Sequence, residues 1–353
     1  MIMKNIDIRI KKIDSLVTPQ SLIEKYPVSE ELSTFLFGYR KQVNDIIQGK
    51  DSRKLAIVGP CSIHNEEQAI DYAQKLAVLS EKVKDTMLVV MRTYFEKPRT
   101  VLGWKGLIMD PNLDGTCDIE LGLNKARKLL IEIVKLGIGV GCEVLDPIIP
   151  QYIDDVICWS SIGARTSQSQ VHRSLASGLS TAVGFKNGTD GDLKVAINSI
   201  KASSFPASFI GIDRQGNDCV FRTIGNDCGH LILRGGNNAP NYYEDDIQIA
   251  RRMMVKSGLN PSIIIDCSHG NSRKVAERQK RVLRSVMDQI VWSDDDCIKG
   301  FMLESFLKTG SQKLTKDLNK LEYGVSVTDE CLGWKETEEA LLFCDRELRK
   351  KRG

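Results

Sequence analysis

The sequence predicts an α/β protein built as a (β/α)8 TIM barrel, with an N-terminal extension and an inserted β-hairpin. Three observations predict this fold. Eight short apolar runs alternate with amphipathic helical stretches along the 353 residues. The runs are continuously apolar, as are strands buried on both faces of a parallel sheet. Such a barrel needs about 250 residues, which leaves about 100 for the extension and the insertion.

Each predicted strand is six or seven residues long, and the first is LAIVGP at 55–60. A doubly wound open sheet is the alternative arrangement of such strands. It would normally place a glycine-rich phosphate loop after the first strand. Here the first strand runs into GPCSIH at 59–64 instead, which favours the barrel. The eight predicted strands are 55–60, 87–92, 138–143, 157–162, 181–186, 229–235, 262–268 and 298–304.

Helical periodicity fills the segments between the strands. The stretch 66–84 places Ile70, Ala73 and Leu76 on one side, as an amphipathic helix requires. The stretch 118–137 does the same and ends at Gly137, a residue suited to a helix C-cap. The other predicted helices are 168–177, 190–202, 242–258, 272–290 and 336–349.

Two regions lie outside the repeating pattern. Residues 1–50 are charged and loosely patterned, and we interpret them as a regulatory or oligomerisation arm before a catalytic barrel at 51–353. Residues 205–224 contain two apolar runs on either side of the polar turn DRQGND. This pattern is typical of a hairpin, here inserted between two barrel strands.

Composition excludes several classes of protein. The chain has 49 Lys and Arg, 46 Asp and Glu, a net charge of +3 and 42% hydrophobic residues. The apolar fraction is too high for a disordered chain, and the small net charge predicts no nucleic-acid or anionic membrane partner. No apolar run approaches the ~20 residues of a spanning helix, and the N-terminus lacks the pattern of a secretory signal. The 10 cysteines form no CxxC pair, so we expect reduced thiols and a cytoplasmic protein.

Chemically active side chains follow every predicted strand. In a barrel, the C-terminal ends of all eight strands meet at one mouth, where the active sites of this fold lie. We therefore expect these side chains to converge. They are Cys61 and His64 after the first strand, Arg92, Lys97 and Arg99 after the second, Glu143, Arg165, Lys186, Arg234 and His269 after the third to seventh, and Glu304 and Asp329 after the eighth.

Cys61, His269, Glu304 and Asp329 form a mixed set of sulfur, nitrogen and oxygen donors. This set favours a borderline divalent metal, such as Mn, Fe, Co or Zn, over Mg or Ca. A core thiol is the alternative interpretation of Cys61 alone. His64 is a rival ligand, but His269 extends a strand end more directly.

The cations at the same mouth predict an anionic substrate. So many positive charges repel one another unless an anion separates them, and Arg suits phosphate and carboxylate in bidentate geometry. A Lys among these cations should have a lowered pKa, so Lys97 is a candidate acid–base group. The cations are Arg92, Lys97, Arg99, Lys105, Arg165, Lys186 and Arg234.

Long strings in the chain resemble one enzyme family. They are GPCSIH (59–64), MRTYFEKPRT (91–100), GWKGLIMDP (103–111), IGARTSQSQ (162–170), GFKNGTDG (184–191), ILRGG (232–236), IDCSHGN (265–271), MLES (302–305) and SVTDECLGW (326–334). Together they resemble the class I 3-deoxy-D-arabino-heptulosonate-7-phosphate (DAHP) synthases, of the feedback-regulated microbial type with an N-terminal arm. The resemblance runs from about residue 7 to 340.

The resemblance implies a metal-dependent barrel that condenses phosphoenolpyruvate with erythrose 4-phosphate, the first step of the shikimate route to the aromatic amino acids. It implies metal ligands at Cys61, His269, Glu304 and Asp329, with one ion of unknown identity. The implied catalytic residues are Lys97, Cys61 and His269. The implied substrate contacts are Arg92, Lys97, Pro98, Arg99, Thr100, Glu143, Gly163, Ala164, Arg165, Lys186 and Arg234.

The resemblance also implies regulation by an aromatic amino acid, bound between the arm of one subunit and the barrel of another in a homodimer or homotetramer. Gly211 leaves space that a Ser would occupy, which favours tyrosine as the inhibitor because its para-hydroxyl needs room. Parts of the arm are closer to the tryptophan-sensitive form. The implied effector positions are Asp7, Pro147, Gln151, Ser180, Phe209, Gly211 and Phe221.

Three alternatives stay open at this point. A class I aldolase would use Lys186 as a Schiff-base nucleophile. A non-catalytic sensor of aromatic amino acids would keep the barrel as a scaffold, although it would not need the metal set and the cations. A sibling synthase that uses arabinose 5-phosphate fits KPRT (97–100) and the arm less well.

Overall fold

A computed structural model describes residues 6–99, 101–293, 295–315 and 317–352. Helices and strands alternate along most of this range. In chain order they are α1 (Pro19–Lys25), α2 (Glu30–Gln48), β1 (Lys54–Gly59), α3 (Glu66–Val83), β2 (Met87–Arg92), α4 (Ile119–Val134), β3 (Gly139–Val144), α5 (Pro150–Ile153), β4 (Trp159–Ile162), α6 (Gln170–Ala176), β5 (Ala182–Lys186), α7 (Lys194–Ser203), β6 (Ser208–Ile212), β7 (Asp218–Arg222), β8 (Gly229–Leu233), α8 (Glu244–Lys256), β9 (Ile263–Asp266), α9 (His269–Ser272), α10 (Arg278–Trp292), β10 (Ile298–Glu304) and α11 (Trp334–Arg352).

The predicted barrel is confirmed. Eight parallel strands close in the order β1-β10-β9-β8-β5-β4-β3-β2. Except for β8, which begins at a half-buried glycine, every residue of these strands is buried, as the continuous apolar runs predict. The register places Gly59 beside Glu304 and Val58 beside Met91, so the strand ends lie at one rim.

One predicted helix begins later than its pattern indicates. The predicted stretch 272–290 is helical only from Arg278, and α9 is a separate single turn. Arg273 and Lys274 interrupt it, because their φ angles of 54° and 60° lie in the left-handed region. The periodicity of apolar residues does not reveal such a break.

Helix α2 packs across the N-terminal end of the barrel. It buries Leu36, Tyr39, Val43, Ile46 and Ile47. The hydroxyl of Tyr39 donates to the carbonyl of Val89, and its ring occupies the place where a side chain on residue 139 would lie, which explains the glycine there. This packing holds part of the predicted arm on the barrel.

The segment before α1 differs from α2. Residues 6–17 contain no helix or strand, and they expose apolar side chains at alternate positions. Ile6, Ile8 and Ile10 are 74%, 72% and 53% exposed. A separate arm at 1–50 stays a prediction, but the described part of it before α1 is largely exposed and begins with a turn, in which the Ile10 amide donates to the carbonyl of Asp7 at 3.1 Å.

The inserted hairpin is an antiparallel pair, β6 and β7, beside the barrel. Phe209 lies opposite Phe221 and Gly211 opposite Cys219. Because side chains alternate along a strand, Phe209 and Gly211 face the same side. None of the helices in the described residues is long and apolar enough to span a membrane.

Candidate active site

A polar cavity of about 360 Å³ opens at the C-terminal rim of the barrel. It lies where the eight strand ends converge, which is the usual position of the active site in this fold. Its lining includes twelve of the predicted residues: Arg92, Lys97, Pro98, Arg99, Glu143, Gly163, Ala164, Arg165, Lys186, Arg234, His269 and Asp329.

A thiol and two carboxylates lie together at this rim. The described residues Cys61, Glu304 and Asp329 offer ligand atoms that all lie within 4.8 Å of one another. Cys61 follows β1, Glu304 ends β10, and Asp329 comes from the loop before α11. Ser62 and Thr328, which adjoin Cys61 and Asp329, are joined by a hydrogen bond of 2.7 Å between their hydroxyls.

His269 reaches the same cluster from α9. Its Nε2 lies 3.7 Å from Oε1 of Glu304. Its φ angle of 50° is unusual for a residue with a side chain. The left-handed conformation is therefore part of how this ring is aimed toward the carboxylate.

The donor set fits a divalent metal ion. Glu304 is 2% exposed and Asp329 is half-buried, and two carboxylates held this close to a thiol favour a bound cation. Burial, and then the charge of Glu304, raise the pKa of the Cys61 thiol. A cation bound here would reverse this effect, since a coordinating thiol is deprotonated. Cys61, His269, Glu304 and Asp329 are the residues that would hold the ion.

Arg92 is a fully buried cation with spare hydrogen-bonding capacity. Its Nη2 donates to Oε1 of Glu304 at 3.1 Å, and its guanidinium stacks 4.0 Å from the ring centre of Tyr94. Nε and Nη1 have no hydrogen-bond partner among the described residues. Buried donors normally have a hydrogen-bond acceptor, so these two atoms indicate that Arg92 donates to a bound ligand.

Lys186 and Glu143 form a second buried pair, with Nζ 3.0 Å from Oε2. Burial is the largest single effect and opposes the charged form of each, but the charge of the partner together with the other charges nearby outweighs it. The pKa of Glu143 is lowered and that of Lys186 is raised. Both groups are therefore ionised at neutral pH.

Lys97 corrects the prediction of a lowered pKa. Its Nζ donates to the carbonyl and to Sγ of Cys61, both at 3.1 Å. Burial acts to lower the pKa of Lys97, but Cys61, Glu304, Glu143 and Asp329 raise it well above the ordinary value. The prediction was wrong because it considered the cations at the mouth and left out these acidic neighbours.

Three predicted residues are placed differently. Thr100 lies outside the described residues. Lys105 is exposed and does not line the cavity, although its carbonyl accepts the Lys97 amide at 2.9 Å. The rival ligand His64 is buried against Phe306 and is not part of the thiol–carboxylate cluster, and burial lowers its pKa to about 4.

Other residues of the cavity were missed by the sequence argument. Tyr94 supports the two cations Arg92 and Lys186, which lie 4.0 and 5.4 Å from its ring centre. It stands two positions beyond Arg92, so strand alternation could have placed it on the same side. The remaining missed residues are Val101, Leu102, Thr189, Asn237, Lys274 and Thr328.

A second cavity of about 590 Å³ lies between the hairpin and the outer face of the barrel. Four of the predicted effector residues line it: Gln151, Ser180, Phe209 and Phe221. Asp7, Pro147 and Gly211 do not, although a Cβ on Gly211 would lie 2.9 Å from the ring of Phe221. Five charged residues of the lining were not predicted from the sequence: Arg40, Asp154, Asp155, Arg214 and Arg222.

Comparison with known proteins gives concordant matches. Residues 25–342 match the model of the DAHP synthetase I family. The chain is 47% identical over 333 residues to the Tyr-sensitive phospho-2-dehydro-3-deoxyheptonate aldolase of Escherichia coli, covering 94% of this chain and 93% of that one. It is 44% identical over 340 residues to the Trp-sensitive enzyme of Enterobacter agglomerans, covering 96% and 97%.

A solved structure gives the same result. The fold superimposes on phospho-2-dehydro-3-deoxyheptonate aldolase from Francisella tularensis with a TM-score of 0.95 and 42% sequence identity. The match covers 98% of this chain and all of that one.

Proposed function

This chain belongs to the DAHP synthetase I family, and from that premise we propose how its site carries out the reaction. The enzyme is a DAHP synthase, a transferase that joins phosphoenolpyruvate to erythrose 4-phosphate and releases phosphate. One observation supports the assignment of residues. Arg92 is fully buried beside a cavity lined by further cations, and its Nε and Nη1 have no hydrogen-bond partner within the described part of the chain. Such a cavity requires an anionic occupant.

Phosphoenolpyruvate supplies that occupant. Arg92, Arg165, Lys186 and Arg234 together offer enough donors for its phosphate and carboxylate. Arg92 and Lys186 both lie against the ring of Tyr94, which limits their freedom before the substrate binds. The substrate therefore meets cations that are already in place, and its binding orients the enol carbon for reaction.

Erythrose 4-phosphate takes the part of the cavity lined by Lys97, Pro98 and Arg99. The aldehyde is a weak electrophile, and a divalent metal bound at the cluster would supply Lewis acidity or a bound water. Lys97, which is protonated because its pKa is raised, donates a proton to the aldehyde oxygen. A cation on the neighbouring anions would lower that pKa and strengthen Lys97 as an acid.

The bonds balance as follows. C3 of the enol phosphate attacks the aldehyde carbon, the new C–C bond forms and the aldehyde oxygen takes the proton. Water adds at C2, where positive charge develops, and one of its protons returns to Lys97. The C2–O bond to phosphate then breaks, the second water proton leaves with the phosphate, and the water oxygen becomes the ketone oxygen. Glu143 holds Lys186 in place and is positioned to orient water through its second oxygen.

The structure opposes the class I aldolase alternative. A Schiff-base lysine must lose its proton, which requires a lowered pKa. Burial acts to lower the pKa of Lys186, but Glu143, Tyr94 and Asp266 together outweigh it and raise this pKa. The assay for the proposed reaction measures phosphate release with both substrates, with and without EDTA. Full activity after exhaustive chelation would refute the metal requirement.

We propose tyrosine as the feedback inhibitor, bound in the second cavity. Phe209 and Phe221 stack with ring centres 5.2 Å apart and offer an apolar wall to an aromatic ring. Gly211 faces the same side of the hairpin; it does not line the cavity, but a side chain there would meet the Phe221 ring and move it into the space proposed for the para-hydroxyl. Relatives named as Tyr-sensitive and as Trp-sensitive both match the chain, so the identity of the inhibitor depends on this local space.

An inhibition assay with the three aromatic amino acids tests this proposal. Tyrosine should inhibit at millimolar concentration, and Gly211→Ser should weaken that inhibition at least about tenfold, because its Cβ would contact Phe221. Turnover without inhibitor should stay unchanged, since the hairpin is separate from the barrel rim. Lack of any effect of tyrosine would show that the interpretation of Gly211 is wrong.

We also propose a homodimer or homotetramer in which residues 6–17 pack on a partner subunit. Ile6, Ile8, Ile10 and Ile13 are each more than half exposed, and a group of exposed apolar side chains is typical of a contact surface. Removal of residues 1–17 should reduce the oligomer measured by sedimentation while the barrel keeps its thermal unfolding. An unchanged oligomer would exclude this segment as the contact.

A further inference from the structure

Asp266 is a buried carboxylate that the reaction described above does not use. It ends β9, is 0% exposed and lies three residues before His269. Its Oδ1 accepts the Ser268 hydroxyl at 2.6 Å and the Ser268 amide at 3.0 Å. These short contacts fix the carboxylate directly behind the imidazole.

The contacts of the imidazole determine where its proton lies. Nδ1 of His269 is 2.7 Å from Oγ of Ser268 and 2.8 Å from Oδ2 of Asp266. An ionised carboxylate can only accept hydrogen bonds, so Ser268 donates its single hydroxyl proton to Asp266. The Ser268 oxygen then accepts from Nδ1, which must carry the ring proton.

The other ring nitrogen is left with its lone pair. Nε2 lies 3.7 Å from Glu304 Oε1, at the edge of the thiol–carboxylate cluster. Metal ligation by histidine requires this unprotonated nitrogen, and the partner of the opposite nitrogen decides which one is free.

The backbone around His269 keeps the ring in place. Asn271 donates to the carbonyls of Asp266 at 2.8 Å and Leu233 at 3.1 Å, and the amide of Lys274 donates to the carbonyl of His269 at 2.8 Å. These bonds hold the left-handed conformation of His269, which persists only where the surroundings impose it.

We propose that Asp266, acting through Ser268, is a positioning residue that holds His269 as the Nδ1–H tautomer and so presents Nε2 to the metal. The inference rests on the metal-dependent function proposed above. The proposed position of the proton on the His269 ring is a property of the metal-free protein, so it can be measured without any metal.

Asp266→Asn is the informative substitution, because it is nearly isosteric and reverses the hydrogen bonds. The Ser268 amide keeps the Asn oxygen in the Oδ1 position, so the new amide nitrogen takes the Oδ2 position, 2.8 Å from Nδ1, and donates to it. His269 would shift to the Nε2–H tautomer, with its lone pair facing away from the cluster. Ser268→Ala should act more weakly, since Asp266 Oδ2 would remain 2.8 Å from Nδ1.

Two measurements on the full chain test the proposal. The first is long-range ¹H–¹⁵N NMR of the metal-free protein, which has only 4 histidines. His269 should be protonated on Nδ1 in the unsubstituted protein and on Nε2 in Asp266→Asn. The second is titration with Co²⁺ alone, followed by the thiolate-to-metal absorption band, where Asp266→Asn should raise the Kd about 10- to 100-fold.

Asp345→Asn is the matched control, a buried carboxylate on α11 that contacts Thr86 and Arg349. It should leave the Co²⁺ Kd within about twofold. The proposal fails if His269 carries its proton on Nε2 in the unsubstituted protein, or if Asp266→Asn binds Co²⁺ as tightly as the control. Should Asp266→Asn not fold, the NMR result on the unsubstituted protein and the Ser268→Ala titration still decide.

Failure of the proposed function gives a different result. If no thiolate band develops with Co²⁺ in the unsubstituted protein, the metal assignment is wrong, whichever tautomer the NMR experiment finds.

Discussion

The two ends of the barrel both bury charged side chains, but they satisfy them in different ways. At the N-terminal end, Lys54 donates to the carbonyl of Ile298 at 2.8 Å and contacts Asp296, while Lys299 lies 2.6 Å from the same carboxylate. At the C-terminal end, Arg92 keeps two donors without a partner among the described residues.

This difference separates stability from function. A buried charge that has its partners inside the protein contributes to folding, or at least avoids the large penalty of being unpaired. A buried charge with missing partners lowers stability, and it is retained where a ligand completes it. The comparison therefore predicts that substitutions at the N-terminal end change unfolding, while those at the C-terminal end change turnover.

The largest effect is expected for Cys61→Ala at the C-terminal end. Loss of the thiolate removes a metal ligand, so turnover should fall at least about 10⁴-fold, or about 5 kcal/mol in activation free energy. The fold should survive, because the substitution removes a single sulfur. Metal content and phosphate release measure the first effect and thermal unfolding measures the second. Activity that persists at the original rate after chelation would contradict the metal assignment.

Lys186→Met should have the next largest effect. It removes a cation from the substrate cavity but keeps the length of the side chain, and turnover should fall about 10²- to 10³-fold. Steady-state kinetics with varied phosphoenolpyruvate measures this loss. If instead the main change were in the unfolding midpoint, with turnover preserved, the two ends of the barrel would not differ as described.

Acid should weaken the fold through buried imidazoles, one of which, His230, lies at the N-terminal end of the barrel. His230 is fully buried, accepts from Trp159 Nε1 at 3.0 Å, and burial lowers its pKa from 6.5 to about 4. Between these values the unfolded chain binds a proton that the folded chain excludes. Stability is therefore fully present above about pH 6.5 and should fall by roughly 3 kcal/mol as the pH approaches 4.

Urea unfolding at a series of pH values measures this loss. His230→Gln should make the dependence shallower by about 1.4 kcal/mol per pH unit between pH 4.5 and 6. An identical slope in both proteins would assign the acid sensitivity to other groups, among them His64, whose pKa burial also lowers to about 4.

The smallest effect is expected for Lys299→Met, the counterpart of Lys186→Met at the opposite end. Asp296 would keep Lys54 as its partner, so the free energy of unfolding should fall by only about 1–3 kcal/mol. Turnover and KM should stay unchanged. A loss of turnover in the folded variant would show that the N-terminal end of the barrel also influences the reaction.

Much of this organisation could be predicted from the sequence. The strands were identifiable because a continuous apolar run of β-branched residues is typical of a doubly buried strand, and the polar residue after each run lies at the rim because all strands are parallel. Arg92, Lys186 and Glu304 were identified in this way.

The parts that sequence reasoning missed depend on distances between remote segments. The raised pKa of Lys97 results from anions contributed by four different loops and strands, and no spacing along the chain gives their separation. The packing of α2 depends on Tyr39 meeting a glycine 100 positions later. The left-handed φ of His269 follows from tertiary hydrogen bonds, so a histidine after a strand does not reveal it.

The hairpin β6–β7 is a sheet of its own that shares no strand pairing with the barrel. Substitutions on its two strands can therefore accumulate without disturbing the catalytic rim. Under the proposal that the second cavity binds the feedback inhibitor, a few altered side chains there could replace one end-product signal with another while the reaction stays the same.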